Sequence, residues 1–244
     1  MQDLLDVRNL TKRFGGLTAV NDLSFTLRQG EVAALLGPNG SGKTTALNMI
    51  SGFQPASSGT VLLDGERLTG RPPHWISHAG VARTFQLVRV LSSLNVEENI
   101  LAAVMFRKNP PAKETAQEEV QRLLEDVGLA GRSNENAASL TYIDQKRMEL
   151  ARALASKPKL LLLDEWLAGL NPSELSIGIG LISNLNEKGI TILLVEHVMD
   201  AIRALCPRAV VMNAGRKIAD GATAEVLRDP EVVRAYLGGA HAVA

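Results

Sequence analysis

Nine consecutive residues, Gly37-Pro38-Asn39-Gly40-Ser41-Gly42-Lys43-Thr44-Thr45, contain the order G-x-x-x-x-G-K-[ST]. Each residue type in that order has a use against a polyphosphate. Glycines let the backbone turn tightly and aim its N–H groups at phosphate oxygens with no side chain in the way. The helix expected to follow directs the positive end of its dipole at the same place. Lys43 supplies a point charge for β- and γ-phosphates, and the Thr44 hydroxyl is a ligand for Mg²⁺. A glycine-rich turn with an accidental Lys-Thr is the plain alternative, and the strand before and helix after argue against it.

Two further groups stand at the ends of apolar runs. LLLLDE finishes in Asp164 and Glu165. Asp164 is suited to hold Mg²⁺, directly or through water, and Glu165 to polarise an attacking water as general base. LLVEHV carries His197 to an equivalent position, from which it is placed to donate to a γ-phosphate oxygen. A lone histidine is usually structural; three reactive strand ends together point to one crevice, because open α/β sheets bind ligands outside the carboxyl ends of their strands.

The elements that must position these groups are three nearly continuous apolar runs: Glu31 to Leu36, Lys159 to Leu163, and Ile190 to Val195. Such runs fit strands buried on both faces, and the helical segments between them predict a parallel sheet covered by helices. Val7 to Arg13 and Leu23 to Leu27 read as short strands, with turns at Gly15, Gly16 and Gly30. From about Leu91 to Ala155 no strand stands out. Val120, Leu123, Leu124 and Val127 form one apolar helix face there, and Asn109-Pro110-Pro111 separates two helices. The expectation is two lobes, a core of about 1–90 and 156–244 with a helical subdomain of about 91–155. Ser173 to Leu185 fits either period, and its place between two buried parallel strands favours a helix.

The 244 residues carry 26 basic and 26 acidic side chains, a formal net charge of zero. A nucleic-acid binder needs an excess of Lys and Arg, so no nucleic-acid partner is expected. One cysteine, Cys206, excludes internal disulfides and argues against a Cys-ligated zinc. Although 45% of residues are hydrophobic, no apolar run approaches the roughly 18–20 residues that cross a bilayer. The charged start MQDLLDVRNLTKRF does not read as a signal peptide. A soluble, cytoplasmic chain that is not itself a channel is expected.

With glycine loop, DE pair and strand-end histidine in this order, the chain resembles the ATP-binding cassette (ABC) ATPases over nearly its whole length. Phe14 in TKRFGG matches the aromatic that stacks on adenine. Gln86 in RTFQ matches the glutamine linking the γ-phosphate and Mg²⁺ region to the helical lobe. Leu140 to Leu154 aligns with the signature motif and its helix, and Ala168 to Asn171 with the loop that contacts a partner subunit. FGGLTAV, VARTFQLVRV, AGLNP and EVVRAYLG look most like the ATPases of branched-chain amino acid importers. Lipopolysaccharide-exporter and urea-importer ATPases are the near alternatives.

The resemblance implies a P-loop NTPase core with a mostly parallel sheet, an N-terminal antiparallel region and a helical subdomain. It also implies ATP and Mg²⁺ as ligands, and hydrolysis of ATP to ADP and phosphate. Two cassettes would sandwich ATP head to tail, with Thr141 facing the partner's γ-phosphate. Two transmembrane permease subunits and, indirectly, a periplasmic substrate-binding protein complete the expected assembly. Its place would be the cytoplasmic face of the plasma membrane.

This chain departs from the family pattern at three positions. Ile143 stands for a glycine and Asp144 for a neutral glutamine of the signature, and Trp166 for the proline after the catalytic pair. A β-branched Ile143 is expected to obstruct phosphate approach, and Asp144 to repel it unless a cation intervenes. Trp166 is expected to alter how Glu165 is held. These changes favour a heterodimer with a second ATPase over a homodimer that tolerates them, with a catalytically weak cassette as a further alternative. A GTPase is disfavoured because no N-K-x-D occurs. The positive charges of QKRMELAR are expected on a solvated helix face. Trp75 is read as a partly buried packing residue or an exposed contact for a membrane subunit, His74, His78 and His241 as surface histidines, and Cys206 as a buried hydrophobe. Arg83 and Arg89 receive no site role.

Overall fold

Alternate residues of the three apolar runs go to opposite faces of one sheet, which is why each run is apolar throughout. In the computed structural model, which describes residues 3–238, the runs are β3 (Val32–Leu36), β7 (Leu160–Asp164) and β8 (Thr191–Val195). Val32, Ala34, Leu36, Leu161, Leu163, Ile192 and Leu194 join one core. Ala33, Leu35, Leu160, Leu162, Leu193 and Val195 join another. The period of two thus feeds two hydrophobic layers from one strand set.

In chain order, β1 (Asp3–Phe14) and β2 (Leu17–Arg28) precede β3, and α1 (Lys43–Ile50) follows it. Next come β4 (Ser58–Leu63), β5 (Glu66–Arg67), α2 (Pro73–Ala79) and β6 (Val81–Arg83). The helices α3 (Val96–Met105), α4 (Lys113–Asp126) and α5 (Tyr142–Leu154) run up to β7. After β7 come α6 (Pro172–Glu187), β8, α7 (Met199–Leu205), β9 (Arg208–Asn213), β10 (Arg216–Ala222), α8 (Thr223–Val226) and α9 (Pro230–Gly238).

Two sheets result, β2-β1-β4-β5 and β10-β9-β3-β8-β7-β6. The first is antiparallel. In the second, β9, β3, β8, β7 and β6 run parallel, and only β10 is antiparallel. This is the expected α/β class with an N-terminal antiparallel region. β6 and β9 are parallel strands that the sequence reading did not single out.

The expected strands Val7 to Arg13 and Leu23 to Leu27 are each twelve residues long in the structure. Asp22 looks like a strand breaker, yet it and Asn9 take positive φ within an irregular pairing and bond side chain to side chain at 2.7 Å. A bulge absorbs them without ending the strands. The ambiguous Ser173–Leu185 stretch lies in α6. Asn171 caps it, Pro172 sits at its first position, and Glu174 closes a capping box, so local chemistry decides for helix. Between α2 and β7 the helices α3 to α5 pack together, with Val120, Leu123, Leu124 and Val127 all buried.

Candidate active site

Parallel pairing brings the carboxyl ends of β3, β8, β7 and β6 to one edge of the large sheet. From β3 the chain enters the glycine loop, residues 37–42. Gly37 and Gly42 take φ of +148° and +103°, and a Cβ there would lie 2.1 Å from the Met212 carbonyl oxygen and 2.5 Å from that of Ala19. No other residue fits either place. Pro38, Asn39 and Gly40 lie between them at the surface, with Asn39 and Gly40 exposed. Thr44 is exposed and Thr45 half-buried in the first turn of α1.

Lys43 is buried, and its Nζ donates to the carbonyls of Gly37 at 2.7 Å and Pro38 at 3.1 Å. That arrangement holds a positive charge over the loop amides. Burial lowers its pKa below the ordinary lysine value, while the carboxylates of Glu165 and Asp164 pull the other way. Ser41 Oγ is buried and has no hydrogen-bond partner among the described residues. An orphaned hydroxyl, a seated lysine and glycines that exclude any Cβ are the donor set of a phosphate cradle.

The register of β7 and β8 pairs Asp164 with Val195, and the Glu165 N–H donates to the Val195 carbonyl at 2.8 Å. This juxtaposition brings Glu165 beside His197. His197 Nε2 lies 3.1 Å from Glu165 Oε1, and Gln86 Nε2 donates to Oε2 at 2.7 Å. Glu165 itself adopts φ +51°, a left-handed backbone that costs a non-glycine residue about 1–3 kcal/mol. The structure therefore unites Glu165, His197 and Gln86 around one carboxylate. Phe14, at the end of β1, is 45% exposed, with Lys12 Nζ 4.9 Å from its ring centre. Thr141 is not joined to these groups: it caps α5, and its hydroxyl donates to Asp144.

Asp164 is buried, and Arg83, passed over by the sequence reading, pairs with it. Arg83 Nη2 donates to Asp164 Oδ2 at 2.7 Å, and Nη1 donates to Asn48 and Ser51 at 2.6 and 3.1 Å. Arg83 thus joins α1 to β7 beneath the glycine loop. Tyr236 is a second missed residue. Its hydroxyl accepts the Gly37 N–H at 2.9 Å, tying α9 to the start of the loop.

One expectation needs correction. The charges of QKRMELAR do not all face solvent, because Lys146 is 2% exposed. Its Nζ donates to the carbonyls of Trp166 and Ala168, each at 2.8 Å. The turn after Glu165 directs those carbonyls toward α5, where they need a donor. Burial lowers the Lys146 pKa, opposed by Glu196, Glu149 and Glu165. The Trp166 indole is buried, donates to the Lys146 carbonyl at 3.2 Å, and fits over Gly178 of α6, where a Cβ would stand 3.3 Å from the ring. Ile143 is buried in the first turn of α5, and Asp144 beside it pairs with Arg132 and Arg147.

Behind the site, Glu196 is buried and its Oε1 accepts the Leu167 N–H at 2.6 Å. Burial pushes its pKa up to about 7, despite the N–H donors of Leu167 and His197. Cys206 is buried as expected, and burial pushes its thiol up to about 12. Trp75 is half-buried, with Arg71 stacked 4.7 Å from its ring. His241 lies outside the described residues.

Comparison with known proteins agrees with this constellation. Residues 20–168 match the family model of ABC transporters, and residues 216–242 match that of branched-chain amino acid ATP-binding cassette transporters. The chain is 42% identical to the high-affinity branched-chain amino acid transport ATP-binding protein LivG of Salmonella typhimurium, over 98% of this chain and 99% of that one. It is 38% identical to BraF of Pseudomonas aeruginosa, a protein of the same description, over 97% and 98%. Among solved structures, an ATP-binding cassette of an ABC transporter in its ADP conformation superposes with a TM-score of 0.88 at 32% identity, covering 98% of this chain and all of that one. The second family match includes Tyr236, whose hydroxyl bonds the glycine loop. The chain belongs to the ABC transporter family, as one of its ATP-hydrolysing cassettes.

Proposed function

We propose that this chain is the ATP-hydrolysing subunit of a branched-chain amino acid importer, working at the cytoplasmic face of the membrane beneath two transmembrane permease subunits. A periplasmic substrate-binding protein would deliver the amino acid. The observation that carries the catalytic reading is the Glu165 carboxylate, held between Gln86 and His197 on the sheet edge that also bears the glycine loop.

In this reading amides among residues 39–45, Lys43 and Ser41 hold the phosphates, and Phe14 stacks on the adenine. Thr44, Asp164 and Gln86 would hold Mg²⁺, which neutralises phosphate charge when bound. Arg83 already occupies one Asp164 oxygen, which favours contact through water. Glu165 acts as general base: a carboxylate offers about four acceptor positions, so each oxygen keeps a lone pair for the attacking water. His197 orients Glu165 and reaches the γ-phosphate. Gln86 holds the other Glu165 oxygen, and through Phe85 its segment borders a cleft of about 810 Å³. That cleft, lined by Phe53, Phe85, Arg89, Phe106 and Glu149 and containing no glycine-loop residue, suits docking of a membrane subunit. Movement there would be felt at Glu165 through Gln86.

The second cassette is a different ATPase in this reading, because the turn Leu140–Asp144 departs from the pattern of a working signature. Reconstitution with two permease subunits and a substrate-binding protein tests the whole. ATP-driven uptake of labelled leucine is expected, and outward lipid transfer without amino acid uptake would contradict it.

A further inference from the structure

A parallel ladder spaces its hydrogen bonds evenly, each strand donating from every second residue. Where β7 leaves β8, the last such bond runs from the Glu165 N–H to the Val195 carbonyl at 2.8 Å. Continued, the ladder would next take the Leu167 N–H to the carbonyl of His197. Glu165 turns the chain out of the sheet instead, with φ +51°. The Leu167 N–H is buried and must still find an acceptor. A side chain supplies it: Oε1 of Glu196, itself 1% exposed, accepts at 2.6 Å. The other oxygen, Oε2, accepts the His197 N–H at 3.3 Å.

One carboxyl group therefore bonds the main chain at both strand exits, two residues past Glu165 on one and at His197 on the other. The remainder of the turn is tied from the opposite side. Lys146 Nζ donates to the carbonyls of Trp166 and Ala168, each at 2.8 Å, and the Ala168 N–H closes back on the Glu165 carbonyl at 3.2 Å. Residues 165–168 are thus suspended between α5 and the end of β8. What this suspension fixes is the approach of two side chains from different strands, Glu165 Oε1 and His197 Nε2, at 3.1 Å.

We infer that Glu196 is a positioning residue for ATP hydrolysis: it extends the β7–β8 ladder by one side-chain rung and so sets the spacing of Glu165 and His197. It acts through the main chain of Leu167 and His197. Accepting the Leu167 N–H needs a carbonyl-type oxygen at the right reach and no charge, because a carboxylate, a neutral carboxyl and an amide all offer one. Length at position 196 is therefore the requirement. The inference rests on the reading above, in which Glu165 is the general base.

The test measures phosphate release from the assembled transporter, with each substitution in this subunit alone. Glu165→Gln is the control; undiminished release there would refute the general-base reading and this inference with it. Glu196→Met, of similar size but without an acceptor oxygen, should lower kcat about 10- to 100-fold, the scale expected when a catalytic group is displaced by up to an ångström. KM for ATP should change less than about twofold. Glu196→Gln, which has the right reach, should keep at least about half of kcat. Glu196→Asp keeps the charge but withdraws its oxygens by one methylene, and should lose about tenfold; it decides the matter if Glu196→Met does not assemble. With Glu165→Gln inactive, undiminished kcat in Glu196→Asp would overturn the inference. So would a Glu196→Gln variant as impaired as Glu196→Asp, or a loss expressed in KM with kcat unchanged.

Discussion

Replacing Arg83 with methionine isolates the ion pair beneath the catalytic edge. Both side chains are almost out of water, Arg83 at 5% and Asp164 at 4% exposure, and they meet at 2.7 Å. Methionine preserves much of the length and volume but leaves the Asp164 carboxylate buried without its cation. Breaking a buried pair from one side costs about 3–5 kcal/mol. Loss of the bonds to Asn48 and Ser51 adds to the damage. Since domains of this kind are stable by about 5–15 kcal/mol in total, the variant should be visibly weakened. Urea denaturation followed by circular dichroism, without nucleotide at pH 7.5, measures it. Removing the stranded charge as well, in Arg83→Met with Asp164→Asn, should recover about 2–3 kcal/mol relative to the sum of the single changes. A loss below about 1 kcal/mol for Arg83→Met, or strict additivity in the double variant, would refute the buried-pair reasoning.

Other perturbations follow from the same contacts. Lys146→Met strands the carbonyls of Trp166 and Ala168 and should lower kcat of the assembled transporter severalfold with little change in KM for ATP; a change in KM alone would count against a positioning role. Tyr236→Phe removes the acceptor for the Gly37 N–H and should cost about 1 kcal/mol, with faster amide exchange at Gly37. Burial pushes Glu149 and Glu196 each to about 7, from an ordinary 4.5. The folded chain therefore holds these protons more tightly than the unfolded one, so stability should fall as pH rises from about 4.5 to 7 and level off above. Each group contributes up to about 3 kcal/mol of that fall, and denaturation midpoints for Glu149→Gln and Glu196→Gln against pH should be flatter than those of the unchanged chain.

Much of the site was legible because its donors come from one contiguous stretch and its acids end apolar runs. Residues 37–45 need no distant partner to be understood, and parallel strands of the sheet must deliver Asp164, Glu165 and His197 to one edge. What stayed hidden depends on pairing. Arg83 and Asp164 are 81 positions apart and meet only because β6 lies beside β7. Tyr236 reaches Gly37 across 199 positions. Lys146 looked solvated because charges on an amphipathic helix usually are; no pattern in α5 shows that the turn at Glu165 aims two carbonyls at it. The complement of Trp166, Gly178, likewise lies in another helix and gives no local signal.

Phosphate release from the assembled transporter, with Glu165→Gln placed in this subunit alone, tests the central claim most directly. ATP binding should be retained while hydrolysis falls about 10²- to 10⁴-fold, as expected when a general base is removed, and the matching change in the partner cassette should matter far less. Undiminished hydrolysis by the transporter carrying Glu165→Gln would contradict the account.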